Sequence, residues 1–212
     1  CAKKDEVLAK GIHVGTVVTF DADFFVMNEK YFVGRALDNR IGGFMIAEVA
    51  RQLKENNIKL PFTLYVVNAV QEEIGLRGAE MIAQRLNPHV AICTDVIHDT
   101  QSPFYDKKTS GDIACGKGAV LTYGPAVQNN LLNMILDVAE KKEIAIQRAA
   151  ASRSTGTDTD SFAYSNEGVP SALISLPLKY MHTTVETVQS TDVEKVIQLM
   201  YEFLVQLEAG HD

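Results

Sequence analysis

The stretch Phe62-Thr-Leu-Tyr-Val-Val-Asn-Ala-Val70 runs directly into Gln71-Glu-Glu-Ile-Gly-Leu-Arg-Gly-Ala-Glu80. The first half is short, apolar and rich in β-branched and aromatic residues, which predicts a buried strand. Two adjacent carboxylates, Glu72 and Glu73, follow where this strand would stop. An acid at the end of a buried strand is costly unless a positive group binds it, so the pair indicates a metal site. The alternative is a solvated strand end with two surface acids, and these residues alone do not decide between the two.

The composition of the whole chain limits the classes of function. The chain has 212 residues, of which 46% are hydrophobic and 22% charged, which is typical of a globular protein with either one large domain or one domain and a small appendage. The net charge is −7 and no Lys/Arg run could follow a phosphate backbone, which argues against a nucleic-acid partner. No apolar stretch reaches about 18 residues, so we expect no membrane span. The cysteines Cys1, Cys93 and Cys115 lack Cys-x-x-Cys spacing, which favours free thiols in a reducing compartment.

The hydrophobic pattern predicts short strands first and then alternating helices and strands. Turn residues separate three β-rich runs in the first 35 residues, at 15–20, 24–26 and 31–33. Helices are then predicted at 41–53, 78–86, 127–142, 157–165 and from Asp192, as a helix cap, to 207. Strands are predicted at 62–70, 89–95, 119–122, 144–150 and 171–176, and a loop over most of 97–118. This alternation predicts an α/β layer structure with a largely parallel sheet.

Several chemically reactive side chains fall where the predicted strands end, which is where open α/β sheets bind ligands. Glu72 and Glu73 follow one strand, Asp95 ends a second, and His182 follows a third; Asp38 opens the first helix. Three carboxylate positions and a histidine at one sheet edge are typical of a metal site. Each residue also has a simpler explanation: Asp38 as a helix cap, Asp95 in a turn, and His182 as a hydrogen-bonded loop histidine.

Five short segments carry the most specific motifs: Ala36-Leu-Asp-Asn-Arg40, Gln71-Glu-Glu-Ile-Gly-Leu-Arg-Gly-Ala79, Thr94-Asp95, Gly156-Thr-Asp158 and Lys179-Tyr-Met-His-Thr-Thr-Val-Glu186. In order and separation they resemble the M42 family of metallo-aminopeptidases, which includes glutamyl and tetrahedral aminopeptidases and some members labelled endoglucanases. The resemblance covers essentially the whole chain. It implies a three-layer α/β/α domain of the dinuclear-metallopeptidase type. Residues 1–35 would be a remnant of an inserted β domain that serves dimerisation, and 36–212 the C-terminal portion of the catalytic domain.

The resemblance also implies a role for each candidate residue. Asp38 would bridge two divalent metal ions, Zn or Co, with Glu73 and His182 as ligands of one ion and Asp95 as a ligand of the other. Glu72 would be the general base in the attack of a metal-activated water on the substrate. The implied protein is a cytoplasmic aminopeptidase that releases N-terminal residues from short peptides. It would work as a homo-oligomer, either a dimer or a dodecamer.

One departure from the family pattern concerns the first metal ligand, a histidine in a His-x-Asp motif that precedes the bridging aspartate. Only His13 precedes Asp38 in this chain, and because x-Asp does not follow it, we do not assign it as a ligand. By the resemblance, this chain begins inside the inserted domain and lacks the family's N-terminal part. Asp38, Glu73 and His182 complete one site, whereas the second site keeps only two carboxylates. We therefore expect at most one tightly bound metal in this chain alone.

Two other functions compete with the aminopeptidase hypothesis. A non-catalytic or incomplete family member, without the first histidine ligand, is the main alternative. A glycoside hydrolase also needs two carboxylates, but a cluster of acids with a histidine suits a metal better, and the chain contains no Trp to stack on sugars.

Two further positions stay open at this point. At Gly156-Thr-Asp158, Thr157 or Asp158 could be only the N-cap of a helix, or the segment could form a wall of the substrate cleft. Lys179 stands where many family members have Arg, which keeps the positive charge but loses the bidentate geometry of a guanidinium group.

Overall fold

The computed structural model describes residues 3–207, which form seven helices and seven strands. The helices are α1 (Lys4–Ala9), α2 (Leu37–Glu55), α3 (Arg77–Leu86), α4 (Lys107–Ser110), α5 (Asn129–Lys141), α6 (Asp158–Ala163) and α7 (Ser190–Gln206). The strands are β1 (Phe25–Met27), β2 (Tyr31–Gly34), β3 (Ala91–His98), β4 (Ala119–Tyr123), β5 (Ile146–Ala150), β6 (Ser171–Leu178) and β7 (Glu186–Gln189). Cys1 lies outside the described residues, whereas Cys93 and Cys115 are free thiols within them.

The central sheet has the strand order β3-β6-β4-β5. β3 and β6 pair in parallel over their full length, from Ala91 opposite Ser171 to His98 opposite Leu178. β4 and β5 are also parallel, whereas β4 runs antiparallel to β6. Every residue of β6 is buried, as expected for an apolar strand in the middle of such a sheet. The mostly parallel sheet confirms the predicted α/β class.

Helices cover the central sheet in two groups, each with its own apolar cluster. The larger cluster joins α2, α5 and α7 to β4 and β6, and its members include the fully buried Met45, Leu132, Ile174 and Phe203. The smaller cluster joins α3 and α6 to the start of β3 through Ala79, Ala83, Ala91, Phe162 and Val169. These two groups give the layered arrangement that the sequence predicts.

A second, smaller sheet brings the start of the chain to the end of β6. Its strand order is β1-β2-β7, and all pairs are antiparallel. Residues 31–34 of β2 pair with 186–189 of β7, a strand that the sequence pattern does not predict. The proposed domain boundary after residue 35 stays a prediction, but β2 is hydrogen-bonded directly to the second of the two segments.

The strand predicted at 62–70 is wrong. This segment forms no regular secondary structure, and Leu64, Tyr65, Val66 and Val70 are exposed. An apolar run becomes a strand only when a neighbour satisfies its backbone N–H and C=O groups, and no described strand pairs with this one. The run at 15–20 fails for the same reason, with Val17, Val18 and Phe20 exposed.

Two smaller predictions also need correction. β3 continues to His98, because its pairing with β6 continues to that point, so Asp95 lies within the strand rather than at its end. The next residue along the chain, Asp99, is buried. Asp192 does not cap α7, which begins at Ser190; its carboxylate instead accepts hydrogen bonds from the N–H groups of Gly116 and Gly118.

Within residues 3–207, no helix combines the length and the apolar character that crossing a membrane requires.

Candidate metal centre

Three side chains from distant parts of the chain meet beside the small sheet. His182 Nε2 lies 3.1 Å from Asp38 Oδ2 and 3.3 Å from Glu73 Oε2. One potential ligand atom from each of the three residues lies within 4.8 Å of the other two. Asp38 comes from the start of α2, Glu73 from the turn before α3, and His182 from the loop between β6 and β7. We call these three residues the ligand cluster.

Asp38 reaches the ligand cluster because its neighbour Asn39 caps the helix. Both residues have non-helical backbone angles at the start of α2, and the peptide bond that joins them is cis. Asn39 Oδ1 accepts a hydrogen bond from the Gly42 N–H at 2.9 Å, and Asn39 Nδ2 donates to the Thr94 carbonyl at 2.9 Å. The cap role considered for Asp38 therefore belongs to Asn39, which leaves the Asp38 carboxylate available.

The turn that carries Glu72 and Glu73 is closed by its own backbone. The N–H groups of Gly75 and Leu76 both donate to the Glu72 carbonyl at 3.0 Å, and the Gly78 N–H donates to the Val70 carbonyl at 2.9 Å. Gly75 has a φ of 122°, which favours glycine. At Gly78, a Cβ atom would lie 2.3 Å from the Val70 oxygen, so only glycine fits there.

His182 sits in a strained loop that Glu186 stabilises. Its φ of 62° is in the left-handed region, which is uncommon for a residue other than glycine. The His182 N–H donates to Glu186 Oε1 at 2.7 Å, and the Asp38 N–H donates to Glu186 Oε2 at 3.0 Å. Glu186 is only 2% exposed. One buried carboxylate thus joins the backbones of two members of the ligand cluster.

Glu186 and Asn39 are the residues that the sequence reasoning missed, although both lie inside motifs that it quoted. The available signal for Glu186 was an acid within the short β-branched run 185–188, where burial in a strand demands partners. For Asn39 it was an amide beside the first turn of a helix, the usual position of a capping residue.

The acids around the ligand cluster have raised pKa values. Burial, and then the charges of Glu73 and Glu186, raise the pKa of Asp38 to about 6. Burial, and then Glu73, Asp158 and Asp38, raise the pKa of Glu72 to about 7. These shifts arise because several carboxylates share a partly desolvated region. Carboxylate and imidazole donors in such a region fit a divalent cation of the zinc or cobalt type.

Asp95 lies close to the ligand cluster but not within it. Its buried carboxylate accepts a hydrogen bond through Oδ1 from the N–H of its own neighbour Val96, at 2.8 Å. Burial is the main reason that its pKa rises to about 8, with Asp38 and Glu72 adding to the effect. Its role as a ligand of a second ion, like the role of Glu72 as a base, stays a prediction.

The segment 156–158 begins α6, as predicted. Thr157 is the N-cap residue, because its Oγ1 accepts a hydrogen bond from the Thr159 N–H at 3.2 Å. Asp158 is not needed for this, and its Oδ1 is buried without a hydrogen-bond partner.

A cavity of about 260 Å³ lies beside the loop that carries His182, although no member of the ligand cluster lines it. Met181 and Thr183, on either side of His182 in the sequence, contribute to its wall. Lys179 also lines it, and the Lys179 Nζ pairs with Asp99 Oδ2 at 3.2 Å. Because Asp99 is buried and also accepts N–H groups from Gln101 and Cys115, the pair is locked into the structure.

Two further histidines, His13 and His98, have polar partners outside the ligand cluster. His13 is exposed, and its Nδ1 lies 2.9 Å from the carbonyl oxygen of Val14. His98 Nδ1 pairs with the Tyr105 hydroxyl at 2.8 Å. Neither belongs to the metal-type cluster that residues 3–207 contain.

Comparison with known proteins finds a matching family, similar sequences and similar solved structures. The M42 glutamyl aminopeptidase family matches residues 1–199. The chain is 35% identical over 207 residues to a lysyl aminopeptidase of Pyrococcus furiosus, covering 98% of this chain and 58% of that protein. Aminopeptidase APDkam598 from the archaeon Desulfurococcus kamchatkensis is similar in structure, with a TM-score of 0.88 and 28% identity over 97% of this chain and 57% of that one.

A third relative is a peptidase that assembles into large particles. The TET1 peptidase of Pyrococcus horikoshii, which can assemble into a tetrahedron or a large octahedral shell, has a TM-score of 0.72 and 27% identity, covering 89% of this chain and 54% of that one. This chain therefore spans less than three fifths of the length of the relatives it matches.

Proposed function

Because the chain belongs to the M42 glutamyl aminopeptidase family, we propose that it supplies the greater part of the catalytic centre of a metal-dependent aminopeptidase. The observation that carries this proposal is the ligand cluster, in which Asp38, Glu73 and His182 converge within 4.8 Å. The substrate class is a short peptide with a free N-terminus, and the reaction is hydrolysis of its first peptide bond.

Asp38, Glu73 and His182 would hold a divalent cation, zinc or cobalt. When bound, the cation supplies Lewis acidity to the scissile carbonyl and to the attacking water. Glu72 stands next to this cluster, and burial and its acidic neighbours raise its pKa to about 7. A base with a pKa near neutrality can both take a proton and return it. Glu72 takes a proton from the water as the C–O bond forms, and gives it to the leaving amine as the C–N bond breaks.

The surrounding residues position this chemistry. Glu186 holds the backbones of Asp38 and His182 through two hydrogen bonds, at 3.0 and 2.7 Å. Supporting bonds of this kind fix the orientation of the groups that hold a metal. The cavity of about 260 Å³ that Met181 and Thr183 line is our candidate for the pocket that takes the side chain of the released residue.

We propose that this chain alone binds one cation tightly. The ligand cluster supplies three donors, whereas Asp95 lies outside it and the 212 residues contain no His-x-Asp motif before Asp38. Two carboxylates without an imidazole bind zinc weakly. Metal analysis of the dialysed chain should return about one zinc per chain. Two tightly held ions per chain would contradict the proposal.

We propose the oligomeric state by comparison with a relative, and the cellular location from the free thiols. The Pyrococcus horikoshii TET1 peptidase assembles into closed shells, so we infer a homo-oligomer, dimer or dodecamer, for the protein to which this chain belongs. A cytoplasmic location fits free thiols at Cys93 and Cys115.

The direct test is the release of p-nitroaniline from aminoacyl-p-nitroanilides with added Zn²⁺ or Co²⁺. We expect cation-dependent release, and we expect Glu72→Gln to lower kcat by about 10²–10⁴-fold, the usual contribution of a general base. Glu167→Gln, an exposed position, is the matched control. Activity that survives Glu72→Gln would refute the mechanism. No activity with any cation would favour the non-catalytic alternative.

A further inference from the structure

One buried carboxylate oxygen near Glu72 has no partner. Among the described residues, three buried side-chain oxygens lack a hydrogen bond: Thr94 Oγ1, Thr122 Oγ1 and Asp158 Oδ1. The first two are hydroxyls within strands, and Asp158 is the only acid. A buried carboxylate oxygen without a donor costs more than an unpaired hydroxyl and calls for an explanation.

The ordinary structural roles at this helix start are taken by the neighbours of Asp158. Thr157 Oγ1 caps α6 by accepting from the Thr159 N–H. Asp160 accepts from the N–H groups of Thr155 and Gly156, at 3.0 and 2.9 Å, and so holds the preceding loop. Asp158 is therefore not required for the cap or for the loop.

Asp158 is also fastened next to the turn that carries the proposed base. Ser161, one turn further along α6, donates to the Leu76 carbonyl at 3.4 Å, and the Leu76 N–H donates to the Glu72 carbonyl at 3.0 Å. The charge of Asp158 contributes to the raised pKa values of both Glu72 and Asp95. Burial and neighbouring acids are the main causes of the raised pKa values of Glu72 and Asp95, so this side of the site attracts a positively charged hydrogen-bond donor.

We propose that Asp158 Oδ1 accepts a hydrogen bond from the α-amino group of the substrate's first residue. This inference rests on the proposed aminopeptidase function and specifies how the free N-terminus is recognised. The α-amino nitrogen is only two bonds from the carbonyl carbon on which Glu72 would act, so its receptor must lie beside Glu72. An internal peptide offers a single uncharged N–H at this position, and it would gain much less from Asp158.

The test compares two ligands that differ only in the amine. Leucinamide and its desamino analogue 4-methylpentanamide are titrated calorimetrically into the Zn²⁺-loaded chain. We expect Asp158→Asn to weaken leucinamide binding by about 10–100-fold, the effect of losing a hydrogen bond to a charged group, and to leave 4-methylpentanamide unchanged. Asp158→Glu keeps the charge and should recover part of the loss. Asp137→Asn, an exposed position on α5, is the matched control.

Two further measurements separate this role from others. Zn²⁺ affinity should be the same in Asp158→Asn as in the unaltered chain; a parallel loss of Zn²⁺ affinity would instead make Asp158 a metal ligand and overturn the inference. The melting temperature of Asp158→Asn should be equal or higher, because the variant removes a buried charge that has no partner. A lower melting temperature, with both amides weakened alike, would mean a structural role.

Hydrolysis distinguishes failure of this inference from failure of the proposed function. If leucinamide binds in an Asp158-dependent way but no anilide is cleaved, the amine site stands and the catalytic proposal fails. If anilides are cleaved and the KM for leucyl-p-nitroanilide is unchanged in Asp158→Asn, the catalytic proposal stands and the amine site is wrong. Absence of any leucinamide binding by the unaltered chain also overturns the amine site.

Discussion

The ligand cluster and the acids Asp95 and Asp158 both surround Glu72, but the protein holds them in different ways. Within the cluster, His182 lies 3.1 and 3.3 Å from its two acidic neighbours. In the second group, Asp95 Oδ1 bonds to the next residue along the chain, and Asp158 Oδ1 has no hydrogen bond. The residues of the ligand cluster contact one another, whereas no hydrogen bond joins Asp95 to Asp158.

This contrast separates the acids that are arranged to bind a cation from the acids that are available to bind another group. A metal site needs donors that are already in place, supported by bonds to their surroundings. Glu186 supplies such bonds to Asp38 and His182, and no comparable group joins Asp95 to Asp158 in the described residues. Binding of a cation should therefore depend strongly on the cluster and weakly on the second group.

The largest expected difference between the two groups is in cation affinity. His182→Ala removes one of three donors and should weaken Zn²⁺ binding by more than about 100-fold, beyond the 10–100-fold cost of losing a supporting residue. Asp95→Asn should change the affinity for the first Zn²⁺ by less than about threefold, because Asp95 lies outside the ligand cluster and no hydrogen bond joins it to the three donors. Isothermal titration calorimetry measures both. Equal losses in the two variants would erase the distinction between the groups.

A somewhat smaller effect is expected from Glu186, which touches the cluster only through backbone N–H groups. In Glu186→Gln one side-chain oxygen is replaced by an NH₂ group, so one of the two N–H donors of Asp38 and His182 loses its acceptor. We expect Zn²⁺ affinity to fall by about 10-fold. Glu167→Gln, at an exposed position, should leave it unchanged. An unchanged affinity in Glu186→Gln would mean that the cluster holds its geometry without this support.

The sequence predicts the three residues of the ligand cluster, but it does not predict Glu186 and Asn39, which hold the backbone around them. Glu73 and His182 follow predicted strands and Asp38 opens a predicted helix, and the family resemblance groups these three as ligands of one ion; the structure brings them together. The strand predicted at 62–70, directly before the Glu pair, is absent. The turn at 70–78, closed by its own hydrogen bonds, does the positioning instead.

The supporting roles of Glu186 and Asn39 were not predicted, because they depend on contacts between residues far apart in the sequence. Glu186 bonds to Asp38 across 148 positions, and Asn39 bonds to Thr94 across 55. Hydrophobic periodicity identified α2, α5 and β6, since their burial is a local pattern. It missed β7, whose four residues depend on pairing with β2, and it wrongly ended β3 at Asp95.

Gly78 tests whether the turn holds Glu73 in the cluster. In Gly78→Ala the new Cβ would lie 2.3 Å from the Val70 oxygen, a backbone atom that cannot move without opening the turn. Overpacking of this kind destabilises by about 1–3 kcal/mol, and Zn²⁺ affinity should fall by less than in Glu186→Gln. Gly43→Ala, where the nearest atoms are 3.6 Å away, is the control and should be neutral or stabilising. Chemical denaturation and calorimetry measure the two quantities.

The last expected effect is a pH dependence of stability that belongs to the second group. Burial raises the pKa of Asp95 from 3.8 to about 8 in the folded chain. Between these two values the folded state holds a proton that the unfolded state has lost, so this group makes stability fall as pH rises. Asp95→Asn removes this pH dependence of stability. The melting temperature of Asp95→Asn minus that of the unaltered chain should therefore rise from pH 5 to pH 8. Added Zn²⁺, held by the cluster, should leave most of this difference in place, since Asp95 lies outside the cluster. If Zn²⁺ abolishes the difference, Asp95 is engaged by the first cation, and the two groups form one site.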